Sequence, residues 1–519
     1  MPIWPQGWRA PVYIRRVVSG VDEQTMAGVV ARWARARPDG VAVAHGGGDL
    51  TWADYLSLSG SLAAQLAERF DPGDRVATWL PDGAEPHVAW GATERAGLTA
   101  VGIGWRAGAR EVEHLLARSG AKAVIVPPGT DVPPQVMAIE LSLDGLAGRA
   151  DRGAPDASLA LGPEGTFILN STSGTTGLPK LVVHTQRRWF YFHELAVAAG
   201  GLTGEDVFCS ALPAPYGFGL WTQHFSPAIL GSPVHVRSRF RAADLLGAIE
   251  ESRVTVLAAV TTQLILMLDE PAFAGRDLSS LRVVFTGGEA VPYAKAAEFE
   301  DRTGAKVLQF YGSNETGAAS VTTIDDDRPH RLGTAGRIVP GMQVRLFDPA
   351  DRTPLAVPGR GQPGCKGPAT CEGYWDDPQA SASLYTDDGW VLMGDLVEID
   401  ADGYLTVVGR TSDIVIRGGK NISAPAVEAE VMTHPSVSVA AVVAVPDAVF
   451  GERVGVFVEL KPGAPEVTLE EITSHLASRQ VTREWFPEHL LGVGPLPRSS
   501  GGKVAKGELR ARAVALRNE

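Results

Sequence analysis

The chain reads as an α/β protein, with a large N-terminal domain of mainly parallel α/β sheets and a smaller α+β domain at the end. Three observations predict this. Short apolar runs alternate with helical periodicity along residues 75–126 and again along 187–310, the pattern of strands joined by crossover helices. Several runs end in glycine-rich loops, the side on which open parallel sheets bind ligands. From about 333 to 408 the pattern changes to short strands and Gly/Asp turns, and the last 110 residues carry strands and helices of their own. At 519 residues the chain exceeds one ordinary core. The expected division is 1–409, including a β-rich subdomain about 333–408, and 410–519.

In order, residues 21–40 predict a helix ending near Pro38-Asp39-Gly40, and 41–52 a hairpin around Gly46-Gly47-Gly48. Residues 55–70 have helical periodicity, and 75–80 read as a buried strand. Helix 84–97, strand 98–103, helix 109–118 and strand 121–126 continue the alternation. Residues 128–163 are rich in Pro, Gly and Asp and read as a connector. Two strands flank 171–180, and a helix follows at 187–199. Strands are expected at 207–212, 233–236, 254–260, 281–285 and 306–310, with a helix at 242–251 and an irregular segment at 213–219. The last domain predicts strands 437–445 and 455–460 and helices near 424–433 and 469–479.

Composition narrows the function. With 45% hydrophobic and 21% charged residues the chain is of ordinary globular type. A net charge of −13 argues against nucleic-acid or anionic-membrane binding through a basic surface. Cys209, Cys365 and Cys371 show neither metal spacing nor a disulfide framework, which fits a reducing cytoplasm. Residues 1–20 lack an apolar core of signal length. No apolar run approaches the ~18 residues of a spanning helix, so no transmembrane segment is expected.

The stretch most loaded with chemistry is Ser171-Thr172-Ser173-Gly174-Thr175-Thr176-Gly177-Leu178-Pro179-Lys180. Glycines let a backbone fold closely around a ligand. Hydroxyls and free amides then bind phosphate oxygens, and Lys180 adds charge. Composition alone leaves a solvated hairpin loop open. A Walker loop is excluded, because Leu178-Pro179 separates Gly177 from Lys180 and a strand, not a helix, follows. Loops 171–180, 286–290 and 311–317 all follow strands and are expected to share one cleft.

The full string resembles the S/T-S/T-G-T-T-G-x-P-K signature of the acyl-adenylate-forming superfamily, which includes acyl-CoA and aryl-CoA ligases, peptide-synthetase adenylation domains and luciferases. Its companions follow in order. Tyr311-Gly312-Ser313-Asn314-Glu315 resembles Y-G-x-T-E, with Asn314 in place of threonine. Met393-Gly394-Asp395 resembles T-G-D, and Gly409-Arg410 through Ile422 resembles G-R-x-x-D-x-I-x-x-x-G-x-x-I. Pro497-Arg498-Ser499-Ser500-Gly501-Gly502-Lys503 resembles P-R-T-x-x-G-K. Taken singly, Glu315 reads as a loop glutamate, Gly394-Asp395 as a turn and Lys503 as one more tail lysine; five motifs in order favour the family.

The resemblance implies ATP, Mg²⁺ and coenzyme A as co-substrates and cofactor. By it, Ser171 to Gly177 and Lys180 hold the phosphates of ATP, with Gly288, Glu289, Gly312 and Asn314 nearby. Glu315 holds Mg²⁺, Tyr311 lies near adenine and Asp395 accepts from the ribose hydroxyls. Arg410 contacts ribose or phosphate, and Lys503 is the catalytic lysine, its ammonium offsetting the repulsion between carboxylate and α-phosphate. Ser412 is the hinge of a mobile C-terminal domain. Gly418 and Gly419 line a thiol tunnel. A nucleotide-binding protein without catalysis would be expected to lack Lys503 or Glu315.

For the acid, Tyr216-Gly217-Phe218-Gly219 resembles the Y-G-x-G of benzoate-type CoA ligases. No acid residue in 213–220 offers a partner for an α-ammonium, and a buried unpaired ammonium is costly. The expected pocket of Tyr216, Gly217, Gly288, Gly312, Ala318 and Ala319 suits an aromatic, alicyclic or medium-chain acid. Packing of the sheet is an equal reading for the two alanines. Arg237, Arg239 and Arg417 are candidates for the CoA phosphates, and solvated surface arginines are the equal alternative. The chain ends soon after Lys503, so the thiol is expected in trans, from CoA or, alternatively, from a carrier protein's pantetheine.

Overall fold

The computed structural model describes residues 24–46, 48–147, 155–172, 179–288, 292–349, 351–410, 413–417, 420–447, 449–498 and 504–518. Two sheets dominate. The first orders strands Met137–Glu140, Ala123–Val126, Arg75–Leu80, Thr99–Gly104, Thr166–Ser171 and Leu181–Thr185, parallel except for the last pair. The second runs from Arg337–Ile338 and Gly317–Val321 through Lys306–Ser313, Val283–Gly287, Val256–Ala258, Phe208–Ser210 and Val234–Val236 to Val41–His45 and Gly48–Thr51. Its centre is parallel and both edges are antiparallel. The central strands are buried on both faces, as Thr99–Gly104 illustrates. Continuous apolar runs, not alternation, are therefore what the sequence shows there.

Most expected elements form within a few residues of their predicted ends; helix Ala242–Glu251 and strand Arg75–Leu80 coincide with expectation. Two segments differ. The connector carries the strand Met137–Glu140, in which only Ile139 is buried, and the short helix Leu143–Ala147. An edge strand with one inward side chain has no readable period. After the irregular start at 213–216, the chain turns into helix at Gly217–Gly219, a π-helix over Leu220–Phe225 and a further turn at Ser226–Leu230. All six π-helical residues are buried, so no polar face marked the segment.

The β-rich stretch lends Arg337–Ile338 to the large sheet. It then builds an antiparallel sheet of Pro354–Leu355, Gln343–Phe347, Gly359–Lys366, Asp395–Ile399 and Leu405–Arg410, with Val391–Leu392 alongside. Arg410 ends the last strand of this sheet. The remaining strands, Lys420–Ser423, Ile414–Arg417, Gly451–Leu460, Val437–Asp447 and His489–Val493, form a separate sheet. It has its own core of Val415, Val427, Val442, Val456 and Ile472. Helix Leu469–Ser478 packs there, started by a capping box of Thr468 and Glu471.

Candidate active site

The phosphate-loop candidate is anchored as strand, loop, strand. Ser171 pairs with Leu181 across antiparallel strands. The Thr172 amide donates to the Lys180 carbonyl at 2.9 Å, and the Lys180 amide to Thr172 Oγ1 at 3.1 Å. These bonds close the neck. Ser173, Gly174, Thr175, Thr176 and Gly177 lie outside the described residues. Lys180 is exposed, its Nζ 4.8 Å from the ring centre of Tyr374.

Tyr374 links that lysine to the expected metal carboxylate. Its hydroxyl donates to Glu315 Oε1 at 2.8 Å. Burial first, and then the Glu315 charge, push the phenol well above its ordinary pKa, so it stays a donor. Beneath, Arg188 is buried on helix Gln186–Gly200. Its Nε donates to the Ala369 carbonyl at 2.8 Å, and Nη2 to the Asn314 carbonyl at 3.0 Å. Nη1 meets His184 Nδ1 at 2.8 Å. Burial lowers the guanidinium to about 10. Burial, with Arg188 alongside, holds His184 well below its usual value, so the ring is neutral and Nδ1 accepts.

Asn314 reaches two neighbours. Its Nδ2 donates to the Ser171 carbonyl at 3.3 Å. Its Oδ1 would lie 2.5 Å from a Cβ placed on Gly217. The acid segment and the phosphate-loop strand therefore meet at one carboxamide. Asp82 Oδ1 accepts from the Ala214 amide at 2.6 Å on the other side of that segment, its carboxyl raised to about 7 by burial. Tyr216 packs over Gly104, where a Cβ would sit 2.6 Å from the phenol oxygen. Behind it Phe218 stacks on Trp221 at 5.7 Å, and Trp221 meets Phe310 at 5.2 Å.

Tyr311 and Asp395, 84 residues apart, are joined: the phenol donates to Asp395 Oδ2 at 2.9 Å. Asp395 is 8% exposed and pairs in register with Arg410, of whose side chain nothing is described. Gly312 sits where the pairing slips past Ala319, and a Cβ there would lie 1.7 Å from the Gly317 carbonyl. Ala318 and Ala319 are fully buried beside this bulge, packed in the main core. Tyr311, Gly312, Gly288 and Asp395 line a cavity of about 450 Å³. Neither alanine is among its lining residues, which favours the packing reading for both. Gly288 has φ +78°, a conformation suited to glycine; Glu289 lies outside the described residues.

The far wall of the cavity belongs to the last domain: Val504, Ala505 and Lys506 line it together with Glu428. Lys503 is outside the described residues, but its neighbour Val504 bridges back to Arg498, which pairs with Glu459 at 2.9 Å. Lys506 Nζ lies 2.6 Å from Glu428 and 3.5 Å from Asp413, and Arg510 also pairs with Asp413. The stretch after Lys503 is thereby tied to the chain just past the expected hinge. Ser412, Gly418 and Gly419 lie outside the described residues. Arg237 is half-buried and Arg239 exposed after strand Val234–Val236. Arg417 is paired with Glu488 at 3.2 Å, so its charge is already met.

Tyr374, Arg188, Asp82 and Lys506 were missed by the sequence reading. None sits in a quoted motif, and only the fold brings them to the site. Among the described residues no group of three or more His, Cys, Asp or Glu is set to hold a metal. A half-buried carboxylate with one oxygen engaged, as in Glu315, fits Mg²⁺, which binds through one or two carboxylates plus substrate phosphates. No helix among the described residues is long and apolar enough to cross a membrane.

Residues 426–503 match the C-terminal domain of AMP-binding enzymes. The chain is 31% identical to the medium-chain fatty-acid–CoA ligase of Escherichia coli (strain K12), covering 92% of this chain and 88% of that one. It is 33% identical to a feruloyl-CoA synthase of an Amycolatopsis species, over 93% and 97%. ATP-bound MatB from Rhodopseudomonas palustris superposes with a TM-score of 0.84 at 27% identity, over 93% of this chain and 98% of that one. Apo MatB, with the same coverage and identity, gives 0.74. The o-succinylbenzoate CoA synthetase of Bacillus subtilis with ATP and magnesium ion gives 0.80 at 26% identity, over 93% and 98%. Residues 30–375 match the AMP-binding enzyme family itself, and with that match over most of its length the chain belongs to that family.

Proposed function

We propose that this chain joins an apolar carboxylic acid, aromatic, alicyclic or medium-chain, to coenzyme A. It is an ATP-dependent, AMP-forming acid–CoA ligase. The carboxylate attacks the α-phosphate of ATP, giving an acyl-adenylate and pyrophosphate; the thiol of CoA then displaces AMP to give the thioester. The observation that carries this reading is the convergence on one cleft: Tyr311 bonded to Asp395, Gly312 at the bulge, and residues 504–506 across from them.

Each residue's part follows from its chemistry. Tyr311 donates to one oxygen of Asp395 and orients the carboxylate, an acceptor-only group suited to ribose hydroxyls. Gly312 lets the acid and phosphate approach the backbone. Asn314 keeps the acid segment in step with the phosphate loop. Lys180 and Lys503 supply positive charge where the carboxylate meets phosphate oxygens. Glu315, steadied by Tyr374, would hold Mg²⁺, which neutralises phosphate charge when bound. After adenylation the last domain turns about Ser412 to present Gly418 and Gly419 to the thiol.

The half-buried aromatic side chains of Tyr216 and Phe218 support an apolar acyl group. The named relatives act on medium-chain fatty acids and on feruloyl groups, and both are CoA ligases, which favours CoA over a carrier protein. An acid panel assayed for pyrophosphate release and CoA consumption tests the reading. Equal amounts of pyrophosphate, AMP and thioester are expected with apolar acids. Pyrophosphate without CoA consumption would overturn the choice of thiol.

A further inference from the structure

Strand Val437–Asp447 of the last domain meets the large domain away from the hinge. Its Ser438 is 1% exposed, and the hydroxyl donates to Asp269 Oδ2 at 2.7 Å. Asp269 caps the end of helix Thr261–Leu268, and its other oxygen lies 4.0 Å from Lys295 Nζ. Lys295 in turn faces Glu298 at 3.3 Å. The strand neighbours Val439 and Ala440 line the same cavity as Thr261, Ile265, Tyr311 and Asp395. The bond therefore sits on the seam that gives the nucleotide cleft its shape. Two facts bear on the arrangement it closes. Val504 and Ala505, which follow Lys503, line that cleft. The whole chain also matches ATP-bound MatB better than the apo form, 0.84 against 0.74.

We infer that Ser438 and Asp269 are positioning residues for the first half-reaction: together they latch the last domain in the adenylating arrangement and must part before the thiol attacks. The inference rests on the two-step reading with a turning domain. A hydrogen bond from a buried hydroxyl to a carboxylate is stronger than one between neutral groups, yet one such bond can be released in each turnover. Removing it from one arrangement alone shifts the population of that arrangement by about tenfold.

The test separates the half-reactions. Ser438→Ala is assayed for acid-dependent ATP–pyrophosphate exchange and, independently, for CoA-dependent consumption of supplied acyl-adenylate. Exchange is expected to fall about tenfold while the thioester step stays level or quickens. Asp269→Asn keeps an acceptor and is expected to lose less. No change in either rate, or an equal fall in both, would overturn the latch. Ser412→Pro probes the turning domain itself by restricting the hinge backbone. If it separates the half-reactions while Ser438→Ala does not, the latch alone fails. If Ser412→Pro leaves both half-reactions at wild-type rates, the turning domain fails with it.

Discussion

Asn314 stands where the resemblance expects threonine, and its carboxamide touches two segments far apart in the chain. Tyr374 does comparable work from outside any motif, holding Glu315 while lying against Lys180. Tyr374→Phe removes one hydrogen bond to a carboxylate and keeps the ring. Bonds to charged groups are worth about 1.5–3 kcal/mol, so kcat is expected to drop at least about tenfold, with a raised Mg²⁺ requirement in a titration of initial rates. Lys503→Ala removes a charge proposed to act on the reacting phosphate. Pyrophosphate release is expected to fall by about 10²–10³-fold, the effect typical of a lost transition-state contact. Release at the wild-type rate would reject its role. Neither Tyr374 nor Arg188 was legible beforehand, because a lone tyrosine or arginine carries no signal until the fold supplies its partner.

At the scale of elements, glycines separate two kinds of close approach. A Cβ on Gly312 would strike the Gly317 carbonyl, a backbone atom that cannot swing aside. Gly312→Ala is expected to destabilise the protein by about 3 kcal/mol, read as a lowered urea midpoint. A Cβ on Gly217 would touch Trp189 at an ordinary distance and strike only the end of the Asn314 side chain, which can move at the cost of its bond to Ser171. Gly217→Ala is therefore expected to fold normally but to raise KM for the acid several-fold; an unchanged acid KM would remove Gly217 from the pocket. The central strands and their helices were readable because burial on both faces leaves unbroken apolar runs. Strand Met137–Glu140 and the π-helix were not, since one lies on an edge and the other is buried all round.

For the whole molecule, buried titratable groups set an acid limit. Burial lowers His87 and His193 to about 3 and holds His184 and His224 well below the usual value. As pH falls below about 6.5 the unfolded chain takes up protons that the folded one refuses, so stability falls. Burial raises Glu94 and Asp82 to about 7, which acts in the opposite sense: from about 4 to 7 the folded state holds the extra protons, and stability falls as pH rises. Four histidines outweigh two acids below pH 6.5, and the opposing effects come into balance only near pH 7, where the unfolded histidines have largely lost their protons. The urea midpoint is expected to rise from pH 5 and peak near pH 7. Each group contributes up to about 1.4 kcal/mol per pH unit. His193→Gln is expected to flatten the acid side and Glu94→Gln the alkaline side; a midpoint independent of pH from 5 to 7 would contradict this.

The sequence by itself determined the alternation of strands and helices, the change of pattern after about residue 333 and the order of the five motifs, because these are written in local periodicity and contiguous residues. The tertiary structure decided which residues act together. Tyr311 meets Asp395, Asn314 meets Ser171 and Gly217, and Ser438 meets Asp269, each across 80 or more residues of chain. Such pairs form only when sheets pack and strand ends come into register, and no local pattern encodes a partner so distant.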